Sequence, residues 1–263
     1  MLIDSHCHLP DKKYKKAVDE IVHEAQQVGV EKLIAVGTSI ENSRNTLATA
    51  REFDDVYCTV GVYPHEDLNL SLDKINQKLR DLLNSSRKDI VGIGECGLDI
   101  PEGSVPYPTR LLNEQKELFK LQIGLAVERG LPIAIHNRNA DEEVLEVLEK
   151  YKNTDLKGVA HCFVSDWEYA KKLLHLNIMI SFSGIITYPS AGEELIDAVK
   201  KIPESSLLVE TDAPWLPPQG HRGEVNYPKY VKITAAKIAE IRNSSPERIA
   251  ELSYKNTRNL FNL

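Results

Sequence analysis

Cysteine is scarce: the 263 residues hold four, Cys7, Cys58, Cys96 and Cys162, with no CxxC spacing among them. That excludes a small secreted disulfide scaffold and fits a reduced compartment. Nowhere does an apolar run approach the ~20 residues that a membrane span needs. The opening MLIDSHCHLP carries acid and histidine where a signal peptide would carry a basic start and an apolar stretch, so a cytoplasmic protein without a membrane partner is expected. Positive charge is also in deficit, since 32 Lys plus Arg face 39 Asp plus Glu and leave a formal net charge of −7. Non-specific coating of duplex nucleic acid draws on many phosphate-neutralising cations, so that class of function is excluded. A metal ion could still supply local positive charge. With 42% hydrophobic and 27% charged residues the chain can bury a full core, and disorder is not its main character.

Short β-rich apolar runs alternate with longer amphipathic stretches, the pattern of parallel strands joined by crossover helices. Strands are expected at Leu2–His8, Lys32–Thr38, Val56–Val62, Ile90–Glu95, Pro132–His136, Lys157–Cys162, Asn177–Phe182 and Leu207–Thr211. Helices are expected at Lys13–Val28, Glu41–Phe53, Leu112–Arg129, Asp141–Tyr151 and Asp166–Leu176, with a helical C-terminal tail. Within Leu112–Arg129 the apolar positions Leu118, Leu121, Leu125 and Ala126 recur on one helical face, and Gly130 and Pro132 stop the run. Eight strands with seven crossovers fit a single (β/α)8 TIM-like barrel spanning residues 1–263, although periodicity alone does not prove closure. Two proline-rich loops, Leu98–Arg110 and Ala213–Pro228, follow strands and would cover the C-terminal face, where barrel active sites lie.

His6 and His8 form an HxH pair, and residues i and i+2 of a strand share a face, so both imidazoles can reach one metal. Alone, the pair is equally two core histidines. Other ligand-type residues end other strands: Glu95, His136, His161 and Asp212. In a barrel these ends converge, and unpaired ionisable groups buried together would be costly without a counter-charge. The assignment is His6, His8 and Asp212 on a first divalent ion, His136 and His161 on a second, and Glu95 bridging. Mixed His and carboxylate ligands admit Zn, Mn, Mg or Fe. Cys7, Cys96 and Cys162 neighbour proposed ligands but face the other way, so they read as packing residues. His23 and His175 fall in helices and read as solvated or cap-side residues.

Two metals suit hydrolysis, because together they lower the pKa of water and clamp a phosphoryl or carbonyl oxygen. Asp212 can take the proton of the attacking water. Arg138 and Arg222 are candidate phosphate or carboxylate clamps, Asn226 and His65 candidate substrate contacts, and Tyr63, Phe163 and Trp215 candidate stacking surfaces or lid packing.

The motifs DSHCH, GVYPHE, GIGECGLD, the series Gln115, Phe119 and Gln122 before LPIAIHNR, then AHCF, ISFSGIIT, LLVETDAPWLPP, HRGEVNYP and the closing Asn256 to Phe261 together resemble the TatD family of metal-dependent deoxyribonucleases, within the amidohydrolase-like barrels. The likeness runs the length of the chain. It implies a TIM-like barrel, two divalent metals on the same six ligands, and 3′ to 5′ exonuclease action on single-stranded DNA. It also places His65 and Glu210 close to the metals, with Glu210 either near them or bracing the sheet. Tyr63, Asn139, Val164, Glu224 and Tyr227 depart from the family's usual His, Asp, Gly, Lys and Glu. These departures bear on substrate preference, and Glu224 in place of a lysine weakens a phosphate contact.

The expectation is thus a two-metal hydrolase with single-stranded DNA as substrate and no stable protein partner. The alternatives are hydrolysis of an ester or amide, such as the aminoacyl linkage of tRNA, and a metal-stabilised scaffold without turnover.

Overall fold

The structure, a computed structural model, describes residues 1–86 and 88–263. Its strands are β1 Leu2–Cys7, β2 Val30–Val36, β3 Val56–Val60, β4 Ile90–Asp99, β5 Ile133–Arg138, β6 Gly158–Ala160, β7 Ile178–Phe182 and β8 Leu207–Val209. They form one sheet in chain order with every neighbouring pair parallel. The crossovers carry α1 Val18–Gln27, α2 Ile40–Glu52, α3 Leu72–Ser85, α4 Leu112–Arg129, α5 Asp141–Leu148, α6 Trp167–His175 and α7 Glu193–Lys201, and α8 Val231–Ile241 and α9 Pro246–Phe261 end the chain. This is the expected (β/α)8 architecture. Among the described residues no helix is long and apolar enough to cross a membrane.

Two apolar clusters show how the sheet closes. Ile3, Ile34, Val91, Ala134, Val159 and Leu208, from six different strands, meet one another and Leu260 and Phe261 of α9. Side chains from strands all round a sheet can touch only inside a barrel, so this cluster fills the lumen and the end of α9 plugs its lower mouth. The other, larger cluster lies between strands and helices.

The seam between β8 and β1 is held by side chains as much as by backbone. The Asp4 carboxylate accepts the Thr211 N–H (2.9 Å) and the Thr211 hydroxyl, and the Ser5 hydroxyl donates to Val209 O (2.9 Å). Just above, the Asp212 N–H donates to His6 O (2.9 Å) and the His8 N–H to Ala213 O (2.7 Å). The register of β1 shifts between Asp4 and Cys7, which turns His6 and His8 into the lumen and leaves Cys7 in the outer core.

Differences from the expected boundaries have physical causes. Helix α1 starts at Val18 rather than Lys13, because four lysines among Lys12–Lys16 oppose the positive end of a helix dipole, while Asp19 and Glu20 suit its first turn. Strand β4 runs to Asp99, past Glu95. Gly94 (φ 131°) and Gly97 (φ 148°) make this extension: a Cβ on Gly94 would sit 2.6 Å from Ala134 O, and one on Gly97 2.0 Å from His136 O. Strands β6 and β8 stop at Ala160 and Val209, so His161 and Asp212 lie on turns just beyond them.

Helix α4 matches its expected limits and fixes two loops above the barrel. Gln122, fully buried, accepts the Val62 N–H at 2.8 Å and donates to Val62 O at 2.9 Å. Gln115 accepts the Asp99 N–H at 2.9 Å and donates to Asp99 O at 3.0 Å. Gln122→Leu keeps the volume but strands both buried polar groups of Val62, so it should cost about 2–4 kcal/mol. Urea unfolding of the variant against wild type measures this, and unchanged stability would contradict the clamp.

Candidate metal centre

At the C-terminal ends of the strands, His6, His8, Glu95, His161 and Asp212 are buried and His136 is nearly so. Glu95 stands at the centre. Its Oε2 lies 3.4 Å from His6 Nε2 and 3.7 Å from His8 Nε2, and its Oε1 lies 2.9 Å from His136 Nδ1 and 3.1 Å from His161 Nε2. Each carboxylate oxygen thus faces a different histidine pair. Asp212 Oδ1 completes the first half, 3.1 Å from His8 Nε2 and 3.6 Å from His6 Nε2. Ligand atoms of His6, His8 and Asp212 form one group compact enough to hold an ion, and those of Glu95, His136 and His161 form another. A third such group, His6, His161 and Glu210, overlaps both.

The donor set fits divalent cations on the structure's own terms. Both ring nitrogens of His6 are buried without a hydrogen-bond partner, an arrangement that is costly unless something else binds them. The charges tell the same story. Burial would push the Glu95 carboxyl up, but His161, His136 and His6 outweigh it and hold it well below the usual range. Burial is likewise overcome at Asp212, which His8 holds below its ordinary value. Burial would depress His161, yet Glu95 and Glu210 drive it well above the ordinary imidazole value. Carboxylates gathered here call for cationic neutralisation.

A surrounding layer orients these groups. Glu210, fully buried, accepts the Cys162 N–H at 2.7 Å and places Oε1 3.3 Å from His161 Nδ1, so it sets the His161 ring from behind. The turn that allows this puts Cys162 at φ 46°, and the next ligand turn puts Asp212 at φ 57°, a conformation Asp tolerates better than most residues. Asp99, also fully buried, accepts from the Tyr63 hydroxyl and lies 3.5 Å from His136 Nε2. Tyr63 Oη is itself 3.3 Å from His136 Nε2.

Sequence reasoning passed over Asp99 and Asp4, and the signals were there. Asp99 follows Glu95 by four positions in GIGECGLD, the same face if the strand continues, and Asp4 opens DSHCH.

The candidate substrate contacts separate. Arg138 is exposed, with Nη1 3.8 Å from Asp99 Oδ1, and Arg222 is exposed with its guanidinium 4.7 Å above the Tyr188 ring. His65 is buried; its Nδ1 accepts the Arg110 N–H at 3.1 Å, which places the ring proton on Nε2, an atom buried without a partner. Burial lowers its pKa, keeping it neutral. Asn226 differs from its expected role. It is fully buried, its amide donates to Thr211 O (2.8 Å) and Trp215 O (2.6 Å), and its Oδ1 accepts the Tyr227 N–H, so it braces the loop after β8 and has no hydrogen to offer a substrate.

Of the candidate stacking aromatics, Phe163 is buried against Phe182 and Tyr169, Tyr63 is half-buried, and Trp215 is exposed. Cys7 and Cys96 lie in the outer core, and burial pushes their thiols and that of Cys162 well up, which removes them as nucleophiles. His221 pairs with Glu224 at 3.0 Å and stacks on Tyr230.

Comparison with known proteins agrees with this geometry. The model of the TatD-related DNase family matches residues 3–262. The chain is 34% identical to the uncharacterized metal-dependent hydrolase YabD of Bacillus subtilis over the whole of both chains. It is 36% identical to the uncharacterized metal-dependent hydrolase YcfH of Escherichia coli, covering all of this chain and 96% of that one. The crystal structure of YjjV, a TatD homolog from Escherichia coli, superposes with a TM-score of 0.90 at 31% identity over 100% of this chain and 98% of that one. With a family match over nearly its whole length and a buried His and carboxylate cluster at the barrel mouth, the chain belongs to the TatD family of metal-dependent hydrolases.

Proposed function

We propose that this chain hydrolyses phosphodiester bonds of single-stranded DNA, removing nucleotides from the 3′ end in the cytoplasm with two divalent cations. The observation that supports two ions is the division of Glu95, one oxygen toward His6 and His8 and the other toward His136 and His161. His6, His8 and Asp212 would hold the first ion, His136 and His161 the second, and Glu95 both. When bound, such ions supply Lewis acidity toward a phosphoryl oxygen and make water a stronger acid.

The chain's own residues do the rest. Asp212 directs Oδ1 at His8 and keeps its other oxygen to take the proton of the attacking water. The Nε2 proton of His65, without a partner in the free protein, is there to be donated to a substrate oxygen that reaches it. Arg138, exposed at the end of β5, and Arg222, exposed on the loop after β8, bind phosphate oxygens and keep the ester in line. The burial of the ligands limits water and strengthens these interactions.

A second reading, hydrolysis of a smaller carbonyl ester or amide, draws on the acidic start of α5, where Asp141, Glu142 and Glu143 disfavour a long polyanion on that side. End-labelled single-stranded DNA with Mg or Mn separates the two. Stepwise shortening from the 3′ end, abolished by EDTA and by Asp212→Ala, is the expected result. No shortening by metal-loaded protein would overturn the phosphodiesterase reading and favour the carbonyl one.

A further inference from the structure

The loop between β1 and α1 carries Lys12, Lys13, Lys15 and Lys16 within five positions of a chain whose formal net charge is −7. Lys16 is spoken for by Glu24 and Glu20. Lys12, Lys13 and Lys15 are exposed, and among the described residues none of them makes an ion pair. Lysines so close together in an acidic protein repel one another, and an anion brought from outside relieves that repulsion.

Its position is as informative as its charge. The loop leaves the barrel directly after His8 and meets the loop that follows Asp212: Lys13 Nζ sits 3.1 Å from the centroid of the Trp215 ring, and the Trp215 N–H donates to Asp212 O at 2.9 Å. Trp215 is 43% exposed, a large apolar surface left to solvent beside a buried polar site. The opposite side of the mouth is acidic at Asp141, Glu142 and Glu143. A polyanion reaching the site is therefore attracted on the β1 and β8 side and repelled on the α5 side.

Resting on the DNA reading above, we propose that Lys12, Lys13, Lys15 and Trp215 form a track for the single strand 5′ of the scissile phosphate. The lysines meet successive backbone phosphates and Trp215 stacks on a base, the combination that holds single strands without reading sequence. The proposal names a partner surface outside the metal ligands and gives the bound strand a direction.

The test uses Lys12→Ala/Lys13→Ala/Lys15→Ala in one chain. Lys172→Ala/Lys200→Ala/Lys255→Ala, exposed lysines on α6, α7 and α9, gives the same charge change elsewhere. Binding of a labelled oligothymidylate is followed against salt in EDTA, and hydrolysis of the oligonucleotide is compared with that of bis(4-nitrophenyl) phosphate. The expected results are a salt slope lower by about 2, at about 0.7 per phosphate contact, and oligonucleotide binding at least about tenfold weaker than in the control triple. The loss of kcat/KM on the oligonucleotide should exceed that on the small diester by about tenfold. Trp215→Ala should weaken binding several-fold and Trp215→Phe restore most of it. Equal slopes and affinities in the two triples, equal losses on both substrates, or no oligonucleotide binding by wild type would overturn the track. Wild type that binds the oligonucleotide but cleaves neither substrate would sink the phosphodiesterase reading alone, with the binding comparison still deciding the track.

Discussion

Glu95→Ala should lower kcat/KM by at least about a thousandfold, whichever ester is the substrate, because it removes the side chain whose two oxygens face both histidine pairs of the centre. Its two oxygens approach four histidines from three strands or strand ends; Asp212 pairs with His6 and His8, and Glu210 groups with His6 and His161, so among the described residues neither of them faces all four. Losing charge neutralisation at a metal-assisted reaction costs several kcal/mol, and about 4 kcal/mol is already a thousandfold. Glu95→Gln should fall nearly as far, since an amide keeps the shape but not the charge. Steady-state assays on purified, folded variants decide this. A Glu95→Ala enzyme within tenfold of wild type would contradict the central place given to this residue.

The largest stability effect is expected at the seam, from Asp4→Ala. Asp4 is fully buried and accepts the Thr211 N–H, the Thr211 hydroxyl and the His6 N–H (3.3 Å). Alanine would strand these donors where water does not reach, at a cost of about 3–5 kcal/mol. The two strands it joins carry His6, His8 and the approach to Asp212, so activity should fall with stability. Burial pushes the Asp4 carboxyl well up despite its hydrogen bonds. Asp4→Asn keeps an acceptor for the two N–H groups but sets an amide NH2 where the Thr211 hydroxyl donates, and should recover only part of the loss. Urea unfolding of the three proteins tests this; equal stability of Asp4→Ala and wild type would show that the backbone bonds above close the barrel unaided.

That His6, His8, Glu95, His136, His161 and Asp212 gather at one mouth was legible because a parallel barrel brings strand ends together, so residues far apart in sequence need only be read as ends. What the sequence left open was where strands stop and turns begin. Asp99 escaped because the glycines at 94 and 97 look like a strand breaking off, whereas they let β4 continue against β5. Glu210 and Asp212 share a strand parity on paper. Strand β8 ends at Val209, and the left-handed turn at Asp212 sends one carboxylate behind His161 and the other to His8. Asn226 read as a substrate contact because a polar residue in an active-site loop has the same chemistry whether it faces ligand or backbone; only its burial distinguishes them. Phe163 is the same lesson for aromatics, since its neighbours Phe182 and Tyr169 come from elements that the local sequence cannot place. The lysine run read as the start of a helix because periodicity ignores the helix dipole.

The most direct test of this account is the number of divalent ions bound per chain. Metal-free protein titrated with Mn, and checked by elemental analysis after dialysis, should hold two ions in wild type and fewer in Glu95→Ala. Two ions retained by Glu95→Ala, or a single ion in wild type, would contradict the bridge on which the whole reading of the centre rests.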